Sequence, residues 1–367
     1  MSRIAVFTSD KVGFCATRDK VTHTKLYDGN INEAVKAFAK DVPPDSVCAT
    51  YVQRGDHCEL PTLRKLLPTL KAAGYKNIHV YRALCSNTSI ALYVANLKCK
   101  VENSVAVFHV FSAQRIARGG VDEHSDGVFV GKVPNGYELL LVSDEISDSM
   151  ELFDNLKHIV IVADDASAKA DIRAKYDKEL KKDDVTVHVI SFDADDYVCA
   201  FLWNKYDNGN FNGNLVADSA STMFSFEYEE QKLTLYAEYQ LLPYSKVFQI
   251  DIFDAESLKV EASFTPDDTT CINSVSFDPS KRRIIQATVS IGLDHLPNVK
   301  LATIECEVPG LTKAIRPAGK TSKATALLIL LSSTRPQLTV IHSRVEDTRE
   351  FTSVTELMAY IRRPIMT

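Results

Sequence analysis

The chain has 367 residues, 45% hydrophobic and 25% charged, a length for two or three domains and a balance that excludes wholesale disorder or a coiled coil. A formal net charge of -6 leaves no basic excess to condense onto phosphates, so nucleic acid is not an expected partner. The longest apolar run, Ala324 to Leu331, is short of the roughly 20 residues of a bilayer span, and MSRIAVFTSD lacks the long apolar core of a secretory signal. A soluble, cytoplasmic protein with no membrane partner is the expectation.

In chain order, Ile4 to Phe7 and Gly13 to Thr17 read as a hairpin with Ser9, Asp10 and Lys11 at its tip. Asn32 to Lys40 reads as a helix ended by Pro43 and Pro44, and Val47 to Val52 as a buried strand rich in β-branched and aromatic residues. Leu60, Leu63, Leu66, Leu67 and Leu70 recur at helical spacing behind Asp56 and Glu59, and Gly74 stops that helix. Ile78 to Tyr81 returns as a strand, with Asn87, Thr88 or Ser89 as the cap of a helix carrying Ile90, Leu92, Tyr93 and Leu97. Val105 to Phe111 is the next strand, and Val128 to Val142 a hairpin turning at Pro134, Asn135 and Gly136.

The alternation then repeats: strand Ile159 to Val162, helix Ala168 to Leu180, strand Val185 to Ile190, helix Ala194 to Tyr206. Asp207-Asn208-Gly209-Asn210 is turn chemistry, after which helical periodicity nearly vanishes. From Thr222 to Val308 seven segments alternate with period two between turn residues, the pattern of a β-sandwich. Pro309 to Lys323 reads as a linker, followed by strands Ala326 to Leu331 and Leu338 to His342 and a helix Ser353 to Arg362. The expected domains are therefore 1–207, 208–310 and 311–367. The eight cysteines show no CxxC pair and no Cys/His ligand spacing, and most sit in apolar segments as packed thiols.

This order of parts resembles the DnaK-type, seventy-kilodalton heat-shock chaperones. The stretch SVCATYVQRGDHCELPTLRKLLPTLKAAGYKNIHVYRALCSNTSIALYVANL is similar to that family over roughly Val47 to Leu97. IAVFTSDKVGFC at 4 to 15 resembles its first phosphate loop, VAVFHVFSA at 105 to 113 its second, IVIVADDASAK at 159 to 169 its adenosine turn, and FDADDYVCAFLWN at 192 to 204 its closing helix. The resemblance implies an α/β plus all-β protein: a truncated actin-like (ribonuclease-H-like) ATPase lobe, a β-sandwich and a small α+β tail.

The loops depart from the family where its chemistry resides. Thr8, Asp10, Lys11 and Val12 stand where the first loop carries a metal-binding Asp, a Gly and hydroxyls. His109, Phe111, Ser112 and Ala113 replace the Asp and glycines of the second, and Ala163 or Asp164, with Asp165, the glycines of the third. Glycines there let backbone N–H groups approach phosphate oxygens, and Phe111 would block that approach. Each aspartate would oppose a polyanion by about 1 to 4 kcal/mol at 4 Å. Thr8 and His109 are poor ligands for hydrated Mg²⁺, and His109 reads as a hydrogen-bonded strand residue more readily than as a general base. No catalytic or metal residue is assigned. ATP or ADP with magnesium enters as cofactor only if the site is remodelled around Lys11 or Arg115.

Asp193, Asp195 and Asp196 read as helix-start polarisers, and RIARGG at 115 to 120 lacks the order of a Walker loop. GNFNGN at 209 to 214 takes the place of the family's interdomain linker. Leu242, Phe248 and Ile250 match the family's approach to its peptide-gripping loops and are candidates to line a groove for an extended peptide, with simple core packing as the other reading. The functional expectation is a chaperone-like pseudo-ATPase whose partners are polypeptide clients or other chaperone-system proteins. A working ATP-dependent chaperone and a non-catalytic interaction scaffold are the alternatives.

Overall fold

The computed structural model describes residues 2–55, 58–110, 127–143, 152–163, 169–170, 173, 184–192, 194–253, 255–265, 268–277, 283–304, 326–330, 337–342 and 345–350. The fold is mixed α/β, with several β-sheets and few helices among the described residues. It divides into two units: the first is Met1–Ser221 with Ala237–Pro243 and Gly292–Leu296, the second Thr222–Tyr236, Tyr244–Ile291 and Pro297–Thr367.

In the first unit β1 (Ile4–Thr8), β2 (Val12–Ala16), β3 (Val21–Leu26), β4 (Ala49–Arg54) and β5 (Ile78–Arg82) form a sheet of order β3-β2-β1-β4-β5. The first three strands run antiparallel as a meander, and β4 and β5 continue parallel to β1. A second sheet is built from β6 (Ser104–Val110), β7 (Gly127–Val133), β8 (Gly136–Ser143), β9 (Leu156–Ala163) and β10 (Thr186–Ile190), in the order β10-β9-β6-β7-β8. Its pairing is the same: β6, β7 and β8 form the antiparallel meander, and β9 and β10 continue parallel to β6. One topology therefore occurs twice in succession. The sequence shows this only as two α/β rhythms, because β3 is mostly exposed and lacks a clear apolar alternation.

Ile4 to Phe7 of β1 and Ile159 to Ala163 of β9 are continuous buried apolar runs because both faces of each strand are covered there. On one face of the first sheet, α1 (Ile31–Asp41) and α2 (Leu60–Ala72) enclose an aromatic group in which Phe38 packs on Phe7, Tyr27 and Tyr75 at ring separations of 5.2, 5.7 and 5.6 Å. The helix α1 starts in a capping box: the Asn30 side chain accepts from the amides of Asn32 and Glu33, and Glu33 Oε2 accepts from the Asn30 amide. On the other face, Ile4, Val6, Tyr51 and Tyr81 meet Ile90 of α3 (Ala83–Ala95) and Phe201, Leu202 and Trp203 of α4 (Ala194–Tyr206). The adjoining residues Ala91 and Leu92 enter the core of the second sheet, so this helix serves both sheets.

The helix α3 begins at Ala83, ahead of Asn87, Thr88 and Ser89, which were expected to cap it. The N-cap is Arg82, which makes no side-chain cap hydrogen bond; its own amide donates to Asp218 Oδ1 at 3.3 Å and ties the start of the helix to a distant carboxylate. Ser89 lies inside the helix, donating to the Cys85 carbonyl and accepting from the Val216 amide at 2.9 Å. The expected helix Ala168 to Leu180 falls largely outside the described residues.

The boundary expected after residue 207 lies later, after Ser221. Two apolar residues in the polar stretch explain the shift. Phe211 is buried and stacks on Tyr93 at 4.5 Å, while Val216 is buried in a parallel bridge to Tyr137. Both neighbours of Val216 complete that bridge, with the Tyr137 amide donating to Leu215 O and the Ala217 amide to Tyr137 O, each at 2.8 Å.

The second unit holds two antiparallel sheets. One contains β11 (Met223–Tyr228), β12 (Gln231–Tyr236), β14 (Ser257–Ser263) and β15 (Thr270–Ser276); the other β13 (Tyr244–Phe253), β16 (Arg283–Ile291) and β17 (Pro297–Ile304). They meet through Phe226 and Phe248, edge to face at 5.1 Å. A further antiparallel sheet joins β18 (Ala326–Leu330), β19 (Gln337–His342) and β20 (Val345–Glu350), the last a strand not anticipated from sequence. The expected helix Ser353 to Arg362 lies outside the described residues.

Candidate functional site

The turn between β1 and β2 contains the first set of candidate residues, and its hydrogen-bonding groups are turned on themselves. The Thr8 carbonyl accepts from the Lys11 amide at 3.1 Å, and the Thr8 hydroxyl accepts from the Val12 amide at 3.0 Å. The Ser9 amide donates to Gln53 O at 3.1 Å, and Ser9 Oγ accepts from the Gly55 amide at 3.3 Å. Three of the donors in this turn that could face an anion, the amides of Ser9, Lys11 and Val12, are thus engaged within the protein.

Lys11 takes the left-handed conformation, φ +66°, which costs a residue with a Cβ more than it would a glycine. Its ammonium is tied to the Gly29 carbonyl at 2.9 Å and its own carbonyl accepts from the Tyr27 amide. Asp10 is exposed at the tip. The turn therefore exposes a carboxylate and spends the Ser9, Lys11 and Val12 amides and the Lys11 ammonium on the protein's own acceptors, the reverse of a phosphate cradle.

Of the second loop, His109 lies in β6 opposite Val162 of β9. Phe111, Ser112 and Ala113, with Asp164 and Asp165 of the third, lie outside the described residues, as does Arg115. The structure thus brings together only the first set.

A second constellation, which sequence reasoning missed, sits at the carboxyl ends of β4 and β5. Arg54 and Arg82, the final residues of those strands, are 3% and 7% exposed. Arg54 Nη2 donates to Ser221 Oγ at 2.5 Å and Arg82 Nη1 to Ser219 Oγ at 3.4 Å. Asp218 accepts from the Arg82 amide with one oxygen and forms an ion pair with Lys205 of α4 through the other. The segment is held from its other side by Ala220 N to Gln240 O, Tyr239 N to Ala220 O and Leu242 N to Asp218 O.

His295 completes this group from the turn Gly292–Leu296. It is 1% exposed, and neither ring nitrogen has a hydrogen-bond partner among the described residues. Burial holds its pKa well below the ordinary value of 6.5, and the charges of Arg54, Arg82 and Lys205 add to the depression. Nearby, burial pushes the Cys85 thiol up to about 11, with the Asp218 carboxylate acting in the same direction. Among the described residues the cluster has no nucleophile paired with a base; what it does chemically is hold chain segments by charge and disfavour the protonated imidazole. Its only sequence signal is an arginine ending each of two apolar strands, and its partners are 136 to 167 residues away.

The three groove candidates are not brought together as one set. Phe248 and Ile250 are each 3% exposed in the core of the second unit, whereas Leu242 is half-buried and belongs to the first, preceding a cis Pro243. On the alternate face of β13 the apolar residue that is accessible is Val247, at 48%. Among the described residues no group of three His, Cys, Asp or Glu is placed to hold a metal, and no helix is long and apolar enough to cross a membrane.

A scan against protein-family models finds no match to this chain, and a search of curated proteins finds none either.

Proposed function

We propose that the protein is a divergent relative of the heat-shock chaperones that acts by binding polypeptide and has lost efficient ATP turnover. The observation that carries this reading is the self-satisfied turn at Thr8 to Val12, in which the Ser9, Lys11 and Val12 amides and the Lys11 ammonium already have acceptors. A triphosphate would have to break those bonds and approach Asp10 before gaining any of its own. The strand order shared by the two five-stranded sheets, an antiparallel meander continued by two parallel strands, is what supports an actin-like ancestry in this reading. The two antiparallel sheets joined at Phe226 and Phe248 support a β-sandwich in the position that the chaperones give to their peptide-binding domain.

Isothermal titration with Mg-ATP and with ADP tests the first half. No magnesium-dependent binding in the micromolar range is expected; such binding, or turnover, would overturn it in favour of a remodelled ATPase. Fluorescence anisotropy with a labelled unfolded peptide tests the second half. Saturable binding is expected, and its absence would leave an interaction scaffold.

A further inference from the structure

The group around His295 has a property that neither peptide binding nor nucleotide loss requires. Four basic side chains converge there: Arg54 at the end of β4, Arg82 between β5 and α3, Lys205 on α4, and His295 itself. The carboxylate of the group, Asp218, is committed to Lys205 and the Arg82 amide. The His295 ring sits among these cations at 1% exposure with no acceptor for an added proton among the described residues. Its own turn is lightly made. His295 N donates to Gly292 O at 3.0 Å, Leu296 N to Asp294 Oδ1 at 3.1 Å, and Gly292 N reaches Leu296 O only at 3.5 Å. His295 is also in the left-handed conformation, φ +60°, and Leu293, two residues earlier in the same turn, is 67% exposed.

We propose that the Gly292–Leu296 turn is a proton-operated latch, seated in the first unit while His295 is neutral and released from it when the imidazole takes up a proton. A charged imidazole in the seated position would lack both water and a hydrogen-bond acceptor, and would face the cations Arg54, Arg82 and Lys205. In water it would protonate at the ordinary value of 6.5. The sign follows from linkage. A base whose seated pKa is depressed contributes its full stabilisation above 6.5 and loses it as the pH falls below that value. With the seated form unprotonated throughout, lowering the pH from 7.5 to 5.5 raises the released-to-seated ratio about tenfold.

The test is hydrogen–deuterium exchange of the full chain at pH 7.5, 6.5 and 5.5, corrected for intrinsic rates, with peptides of β9 as an internal reference. Amides of 292 to 296 are expected to lose about tenfold in protection between pH 7.5 and 5.5 while the reference does not follow. In His295→Asn, which suits a positive φ and cannot take up the proton, the loss is expected to disappear. Equal protection of the native turn at both ends of the range overturns the proposal, as does an unchanged pH response in the variant. Should the variant fail to fold, the native protein labelled at its histidine Cε1 positions decides. An imidazole that titrates normally while the turn stays protected refutes the latch, and one whose protonation coincides with loss of protection supports it.

Discussion

Removing the carboxylate of Asp218 should uncouple three parts of the first unit at once. Asp218 and Lys205 are 15% and 20% exposed, so their ion pair is largely desolvated, and Asp218 also accepts the Arg82 amide at the start of α3. Breaking a buried pair from one side costs about 3 to 5 kcal/mol because a charge is left uncompensated. The residual exposure of both partners places Asp218→Asn near the lower end, about 3 kcal/mol. The asparagine keeps an acceptor for the Arg82 amide; Asp218→Ala loses that as well and should cost about 1 kcal/mol more. Lys205→Met combined with Asp218→Asn removes both charges, and the double variant should recover about 2 kcal/mol relative to the sum of the singles. The chain has a single tryptophan, Trp203 on α4, whose fluorescence during urea unfolding reports on this unit directly. A coupling energy under about 0.5 kcal/mol, the level expected for independent sites, would refute the view that this pair anchors residues 218 to 221.

Two further outcomes follow from packing and burial. A Cβ built on Gly13 would lie 2.5 Å from Phe38 Cδ2 and 2.8 Å from Tyr27 Cε2, inside the aromatic group that α1 closes. Gly13→Ala should therefore destabilise the first unit by about 1 to 3 kcal/mol in the same urea assay, and an unchanged midpoint would mean that Phe38 has room to move. Cys85, 2% exposed with its thiol raised to about 11, should remain unmodified by iodoacetamide at pH 8 in the folded protein and react once it is unfolded. Mass-spectrometric mapping of the labelled cysteines checks this, and rapid native labelling at that position would contradict the burial.

Much of the architecture is legible in local pattern. The helix ending at Tyr206, the leucine spacing of α2 and the seven alternating strands after Thr222 all follow from periodicity and turn chemistry, and each lies within a few residues of its expected position. The closed turn is legible in part: Thr8, Asp10 and Lys11 are visibly not a glycine loop. Their mutual bonds, and the tie from Lys11 to Gly29, depend on a backbone path that residue identities do not state.

The elements that went astray share one cause. The start of α3 was sought at Asn87, Thr88 or Ser89 and lies instead at Arg82, whose amide donates to a carboxylate 136 residues away. The domain boundary moved because Phe211 and Val216, two apolar residues in a polar run, found cores to enter. Periodicity and capping preferences act over a handful of neighbouring residues, and composition can reveal them. The assembly of Arg54, Arg82, Lys205, Asp218 and His295 joins segments that are remote along the chain, where no local pattern exists. Only folding lowers the dielectric around these groups enough for their charges and their hydrogen bonds to govern one another.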